Sequence, residues 1–330
     1  MTRLVILGAG AIGGAIAGLL ARAGREVLVI ARGAHLARLR AEGLRVERPG
    51  ETFVVRPPAV AAGEPIAWRG DDILVLATKT QDAAGALDEL GAPAGVPVAC
   101  FTNGVEAERI ALRRAREVCG VAVMMPATYL EPGVVQAWAA PAPGALDLGR
   151  YPDGSGGQGV APALAAELAM AGFDAAVRAD VMRWKRGKLL SNLANGAEAL
   201  CGPSARRTAL FDAARAEGRA CFSAAGLSCT SEEEDAARRQ GYASQPIGGA
   251  TRGGGSTWQS LVRGGSLEVA YLNGEISLLG RLHGVPTPIN DGLARVVAEA
   301  VRAGATPGAM SVAELAARVA RTGGRLAARS

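Results

Sequence analysis

The sequence predicts an α/β domain built on a parallel sheet, followed by an all-α domain, and three observations predict it. Residues 4–13 read Leu-Val-Ile-Leu-Gly-Ala-Gly-Ala-Ile-Gly, an apolar strand running straight into Gly8-x-Gly10-x-x-Gly13. Continuous apolar runs such as Ile73-Leu74-Val75-Leu76 recur through the first half, as in strands buried on both faces. After about residue 179 strand signals stop and helical patterns take over. With 330 residues the chain exceeds one modest core, so two domains are expected, over 1–178 and 179–330.

The first element carries the strongest signal. Gly8 permits a tight turn, Gly10 lets the backbone approach a pyrophosphate, and Gly13 lets the following helix pack close to the strand. The helix N-terminus then offers unpaired N–H groups and partial positive charge to phosphates. A competing pattern overlaps it. The run from Leu4 to Ala21 is uncharged, with Arg3 before it and Ala21-Arg22-Ala23 after it, which imitates a secretory signal or a membrane span. Its glycines, and the turn Gly24-Arg25-Glu26 leading into a second buried strand, favour a βαβ unit instead. A Rossmann dinucleotide-binding domain is therefore expected.

The remaining elements follow in order. Strands are expected at 3–8, 26–31, 44–48, 53–56, 73–77, 96–101, 118–124, 133–138 and 145–149, with one more at 173–177. The Gly-rich stretch 151–159 reads as a loop and 161–171 as a helix. Residues 181–200 read as one long helix and 208–225 as another. Ser231-Glu232-Glu233-Glu234 opens a helix with a capping box and acidic residues suited to its dipole. Six glycines and one proline make 240–255 a mobile loop. Helices at 267–283, 291–303 and 311–321 complete the chain.

Composition narrows the function classes. The chain is 49% apolar and 20% charged, as in soluble globular proteins. Its five cysteines form no CxxC pair, which favours a reduced, cytoplasmic protein over a disulfide scaffold. Two histidines, His35 and His283, supply neither a His-rich metal site nor a Ser-His-Asp triad, so no metal is expected. The net charge is +5, but the arginines are scattered and aromatics are only 4%, so no nucleic-acid partner is expected. No later segment suggests a membrane partner. Lysine is nearly absent: 33 of the 36 basic residues are arginine, leaving Lys79, Lys185 and Lys188. Coding bias towards arginine explains part of this. A retained lysine nevertheless offers what arginine cannot, a proton that can be donated near neutral pH once its pKa is lowered.

Several constellations could carry chemistry. Strand two ends at Ile30-Ala31-Arg32, and no Asp or Glu lies between Val27 and Ala41. An acidic residue there would suit the ribose hydroxyls of NAD, whereas arginine suits a 2′-phosphate, so NADPH is the expected cofactor. A surface arginine is the plainer alternative. Lys79 and Asn103 each lie just past a strand, where open α/β sheets bind ligands; a solvated lysine and an Asn-Gly turn are the plainer alternatives. Lys188, Asn192 and Asn195 stand at i, i+4 and i+7 of the expected helix, so they share one helix face. A solvated face would explain them equally simply. Ser256 follows the glycine-rich loop. Ser266 could cap a helix carrying Glu268 in its first turn, where that carboxylate would stabilise the dipole.

Taken in order, these residues resemble the ketopantoate reductase (2-dehydropantoate 2-reductase) family. The resemblance is carried by the 8–13 glycine motif, Arg32, Lys79, Thr102-Asn103-Gly104, Lys188-x-x-x-Asn192, Ser256, Glu268, Tyr271-Leu272-Asn273-Gly274-Glu275 and Gly284-Val285-Pro286-Thr287-Pro288. It implies a 6-phosphogluconate dehydrogenase-like fold and the NADPH-dependent reduction of a small-molecule 2-keto acid to a 2-hydroxy acid, as in pantothenate biosynthesis. It implies that Gly8, Gly10, Ala11, Ile12, Gly13, Arg32, Lys79 and Asn103 serve the cofactor. Asn103, Lys188, Asn192, Asn195 and Ser256 would bind the substrate in a cleft between the domains. Lys188 would protonate the carbonyl oxygen, and Glu268 would pair with Lys188 or with the substrate hydroxyl.

Three departures surround the substrate rather than the phosphates. The family's second asparagine position is Gly196 here, with Asn195 one residue early. The family's Gln-Asp is Gln259-Ser260, and Met125-Pro126-Ala127-Thr128-Tyr129 is bulkier than usual. A reductase of another 2-keto acid or an imine, and a non-catalytic NADPH-binding sensor, are the alternatives. The Ala-rich C-terminal helices would form either a domain core or the interface of a homodimer.

Overall fold

The computed structural model describes residues 2–154, 157–265 and 267–327. Two compact units divide the chain: residues 1–185 with 231–252, and residues 186–230 with 253–330.

The first unit runs β1 (Arg3–Leu7), α1 (Ala11–Arg22), β2 (Val27–Ile30), α2 (Gly33–Ala41), β3 (Leu44–Arg48), β4 (Glu51–Val55), β5 (Ala59–Val60), β6 (Asp72–Leu76), α3 (Ala83–Leu90), β7 (Val98–Cys100), α4 (Ala107–Leu112) and β8 (Val118–Met124). It continues through β9 (Ala127–Thr128), β10 (Val134–Ala137), β11 (Ala139–Pro141), β12 (Ala145–Tyr151), α5 (Ala161–Met170) and β13 (Asp174–Val177). The main sheet has the order β13-β12-β8-β7-β6-β1-β2-β5. Its strands are parallel except where β12 meets β8. Residues of β1, β2 and β6 are buried throughout, as their unbroken apolar runs require. From β1 the chain passes to β2 on one side and later returns to β6 on the other. The carboxyl end of β1 is therefore a topological switch point, where such sheets bind ligands.

The uncharged stretch 4–21 resolves into β1 and α1, and its glycines serve packing. A second sheet, β4-β3-β10-β9, lies against α1. A Cβ on Gly18 would fall 2.3 Å from Val46 Cγ2, and one on Gly14 would fall 2.7 Å from Val135 Cγ1. Larger residues would push the helix off that sheet.

Segment 231–252 joins the first unit through a buried carboxylate. Asp147 on β12 is fully buried and accepts from Arg178 Nε at 2.7 Å and from Arg238 Nε at 3.0 Å. Arg238 ends α9 (Glu232–Arg238), which opens with the expected capping box of Ser231 and Glu234. Beyond it, part of the stretch expected to be a loop forms a strand, Tyr242–Ser244, paired antiparallel with β11.

The second unit is helical. Helix α6 (Val181–Asn192) ends where α7 (Asn195–Cys201) has yet to begin, so the single helix expected over 181–200 is two. The buried Asn273 Nδ2 donates to the Leu193 carbonyl at 3.1 Å and to Asn290 Oδ1 at 3.0 Å, which draws that carbonyl out of the helical ladder. The i, i+4, i+7 face expected for Lys188, Asn192 and Asn195 therefore stops at Asn192. Helices α8 (Ala209–Ala224), α10 (Ser256–Val262), α11 (Asn273–His283), α12 (Pro288–Arg302) and α13 (Val312–Ala327) follow. Helix α11 starts six residues later than the sequence suggests, behind a 3-10 turn at Val269–Tyr271. Among the described residues no helix is long and apolar enough to cross a membrane.

Candidate active site

The glycine motif forms a cradle at the switch point. Gly8 sits at φ +101°, and a Cβ there would lie 3.0 Å from the Ala77 carbonyl carbon. A Cβ on Gly13 would lie 2.0 Å from the Gly8 oxygen, so no other residue fits without moving the turn. Gly10 caps α1 in extended conformation, with open space where its Cβ would be. The first bond of α1 runs from the Gly14 N–H to the Gly10 carbonyl at 2.8 Å. The N–H groups of Ala11, Ile12 and Gly13 thus precede the helical ladder and face outward from its N-terminus. Open space above Gly10 and these donors fit a dinucleotide pyrophosphate.

The neighbouring strand ends complete this half. Arg32 is exposed at the end of β2, and α2 starts right after it. Lys79 follows β6, half-buried, and Asn103 follows β7. The Thr80 hydroxyl donates to the Asn103 carbonyl at 3.1 Å, which ties the two loops together. Thr78 Oγ1 and Thr102 Oγ1, on those same loops, are buried without a hydrogen-bond partner among the described residues. Orphaned hydroxyls at a strand's carboxyl end fit a polar ligand.

Sequence reasoning missed the pair that supports this edge. Lys185 is 2% exposed and Glu108 fully buried, and the ammonium donates to the Glu108 carboxylate and, at 3.2 Å, to the Thr102 carbonyl. Burial pushes the Glu108 carboxyl above its ordinary value, and the Lys185 charge pulls it back. The scarcity of lysine had marked Lys185, but nothing local marks a partner so distant in sequence.

His35 holds the cradle from the α2 side. Its Nδ1 accepts from the Gly133 N–H at 2.9 Å, so the ring's proton is on Nε2, which donates to the Ala9 carbonyl at 2.8 Å. Burial lowers the His35 pKa below its ordinary 6.5. The neutral ring's stability is thus fully present above about pH 6.5 and is lost as pH falls below it, because the unfolded chain protonates first. We expect urea midpoints to drop between pH 7.5 and 5.5 in the wild type and to drop less in His35→Gln. One such group contributes a slope of at most about 1.4 kcal/mol per pH unit.

The second unit holds the other expected residues. Lys188 and Asn192 are half-buried, one turn apart on α6. Ser256 begins α10, which packs on α7. Glu268 is 8% exposed. It precedes the 3-10 turn rather than lying in a helix's first turn, so the expected dipole role has no α-helix behind it. Ser266 lies outside the described residues. Asn195 is buried, and its Oδ1 accepts from Arg206 Nη2 at 2.6 Å. Gly196 is a contact residue: a Cβ there would lie 2.8 Å from Val297 Cγ2.

Comparison with known proteins follows the same two stretches. The family model described as Ketopantoate reductase PanE/ApbA matches residues 4–153, and its C-terminal counterpart matches 180–301. A 2-dehydropantoate 2-reductase of Mesorhizobium japonicum is 31% identical over 327 residues, covering 89% of this chain and 96% of that protein. The 2-dehydropantoate 2-reductase of Halobacterium salinarum is 29% identical, covering 92% of this chain and all of its own. Among solved structures, the PanE/ApbA family ketopantoate reductase of Ralstonia eutropha JMP134 superposes with a TM-score of 0.75 at 27% identity, over 92% of this chain and 99% of that one.

Proposed function

The chain belongs to the ketopantoate reductase family, and from that premise we propose that it reduces 2-dehydropantoate to pantoate with NADPH. The observation that carries the reading is the cradle at the switch point, with Gly13 pressed on Gly8 and Arg32 one strand away.

Division of labour follows the two stretches, residues 1–178 for the cofactor and 179–330 for substrate and catalysis. Backbone groups of Gly8, Gly10, Ala11, Ile12 and Gly13 hold the pyrophosphate, Arg32 holds the 2′-phosphate, and Lys79 and Asn103 border the nicotinamide half. Bound NADPH supplies a hydride to the keto carbon. Lys188 Nζ gives its proton to the keto oxygen, so C=O becomes CH–OH and the lysine is left neutral until it takes a proton from water. Before transfer, the ammonium stabilises the negative charge growing on that oxygen. Asn192, Asn195 and Ser256 orient the substrate, Asn103 touches it from the cofactor side, and Glu268 pairs with Lys188 or with the new hydroxyl.

One pantoate formed per NADPH consumed, measured by chromatography, is the expected result; NADPH loss without pantoate would refute the reading. Arg32→Ala should weaken NADPH about 10- to 100-fold in a fluorescence titration and leave NADH unchanged, since only the 2′-phosphate contact is lost. Equal weakening of both would remove Arg32 from that role. A second reading, reduction of another 2-keto acid or an imine, is favoured by Gly196, whose contact with Val297 leaves no room for the family's second asparagine. Five cysteines without a disulfide support a cytoplasmic setting. Leu278 and Leu282, exposed on α11, support pairing of two copies through the C-terminal helices.

A further inference from the structure

We propose that Arg206 fixes the orientation of the Asn195 amide, making position 195 a dedicated hydrogen-bond donor for the carboxylate of a 2-keto acid. The assignment rests on the reductase reading above and deepens it.

Arg206 lies in the 3-10 turn Pro203–Arg207, between α7 and α8. Its Nη2 donates to Asn195 Oδ1 at 2.6 Å, its Nε to Glu198 Oε2 at 2.6 Å, and its Nη1 to the Ser191 carbonyl at 3.0 Å. A guanidinium has donors only. The amide must therefore turn its oxygen to Arg206 and its NH2 away, whatever the ambiguity of amide assignment elsewhere. That NH2 donates to no described residue, although Asn195 is only 5% exposed. The NH2 is not one of the buried polar atoms that lack a partner, so it keeps access to solvent, from which an incoming oxygen can accept its hydrogen bond.

The surroundings narrow the ligand. Glu198 neutralises Arg206, so the guanidinium is a brace for Asn195 rather than the carboxylate's own receptor. Glu198 Oε2 also lies 3.7 Å from the place a Gly255 Cβ would take, next to Ser256, so the brace sits beside a second expected substrate residue. Gly196 is closed off by Val297, which leaves Asn195 as the asparagine at this junction. An amide NH2 favours an acceptor such as a carboxylate oxygen and disfavours a protonated amine or iminium, which also presents hydrogens.

The test is steady-state kinetics of the NADPH-loaded enzyme with 2-dehydropantoate. Asn195→Asp keeps the shape and the Arg206 partner but presents only oxygens. It should raise KM about tenfold or more, with NADPH affinity unchanged. Arg206→Gln offers an acceptor as well as donors and so releases the amide; its KM should rise. Arg206→Lys, still donor-only, should stay nearer the wild-type KM than Arg206→Gln does. An unchanged KM in Asn195→Asp, or an equal loss in Arg206→Lys and Arg206→Gln, overturns the proposal. If one variant fails to fold, the others decide alone. Should the wild type turn over no 2-dehydropantoate, the activity reading falls and this assignment with it; wild-type turnover with an unaffected Asn195→Asp removes only this assignment.

Discussion

Lys188→Ala is expected to lower kcat for 2-dehydropantoate by about 10²- to 10⁴-fold while NADPH binds as before. The size follows from the two roles proposed for one ammonium, proton donor to the keto oxygen and partner of its developing charge. The proposed cofactor-binding residues belong to the first unit, whereas residue 188 belongs to the second, so the dissociation constant for NADPH should not change. Lys188→Arg separates the two roles. Arginine keeps the charge but holds its proton at neutral pH, so a variant that recovers KM without kcat identifies proton donation as the missing function. Steady-state rates at 340 nm and a fluorescence titration with NADPH provide both readouts. Undiminished turnover in Lys188→Ala would remove Lys188 from the chemistry.

Lys185→Met is expected to have the largest effect on stability. It leaves the Glu108 carboxylate fully buried with neither its ion-pair partner nor an escape to water. Breaking one side of a buried pair costs about 3–5 kcal/mol at neutral pH, read as a lower urea midpoint. The deficit should shrink as pH falls, because burial already raises the Glu108 pKa and a lone Glu108 takes up a proton more readily still. Replacing both partners, Lys185→Met with Glu108→Leu, should recover much of the loss, since an apolar pair leaves no buried charge. Activity should not follow stability: the Thr102 carbonyl loses its bond from Lys185 in every such variant, and Asn103 is the next residue. Full activity in the double variant would limit the pair to a structural role.

What was legible in the sequence was local. β3 and β8 agree end for end with the expected strands: β3 alternates apolar and charged residues between Gly43 and Pro49-Gly50, and β8 is one continuous apolar run that stops before Pro126. The glycine cradle was legible because its three constraints lie within six residues. The break between α6 and α7 was not, because its cause is Asn273 reaching the Leu193 carbonyl from 80 residues away. Strand β14 (Tyr242–Ser244) was hidden for the same reason: its pairing partner is β11, and Arg238 on Asp147 anchors the segment. For the proposed site, residue types and spacing singled out Lys188, Asn192 and Arg32. Partnerships were silent, as with Glu108 for Lys185 and Arg206 for Asn195, since each depends on a side chain brought in by tertiary folding.

The most direct measurement is NADPH oxidation at 340 nm by the purified protein against 2-dehydropantoate, pyruvate and bulkier 2-keto acids. The account predicts rapid oxidation with 2-dehydropantoate, at a kcat/KM above that of every other acid in the panel. Tight NADPH binding with no oxidation against any of them would contradict it and mark the chain as a sensor of the reduced cofactor.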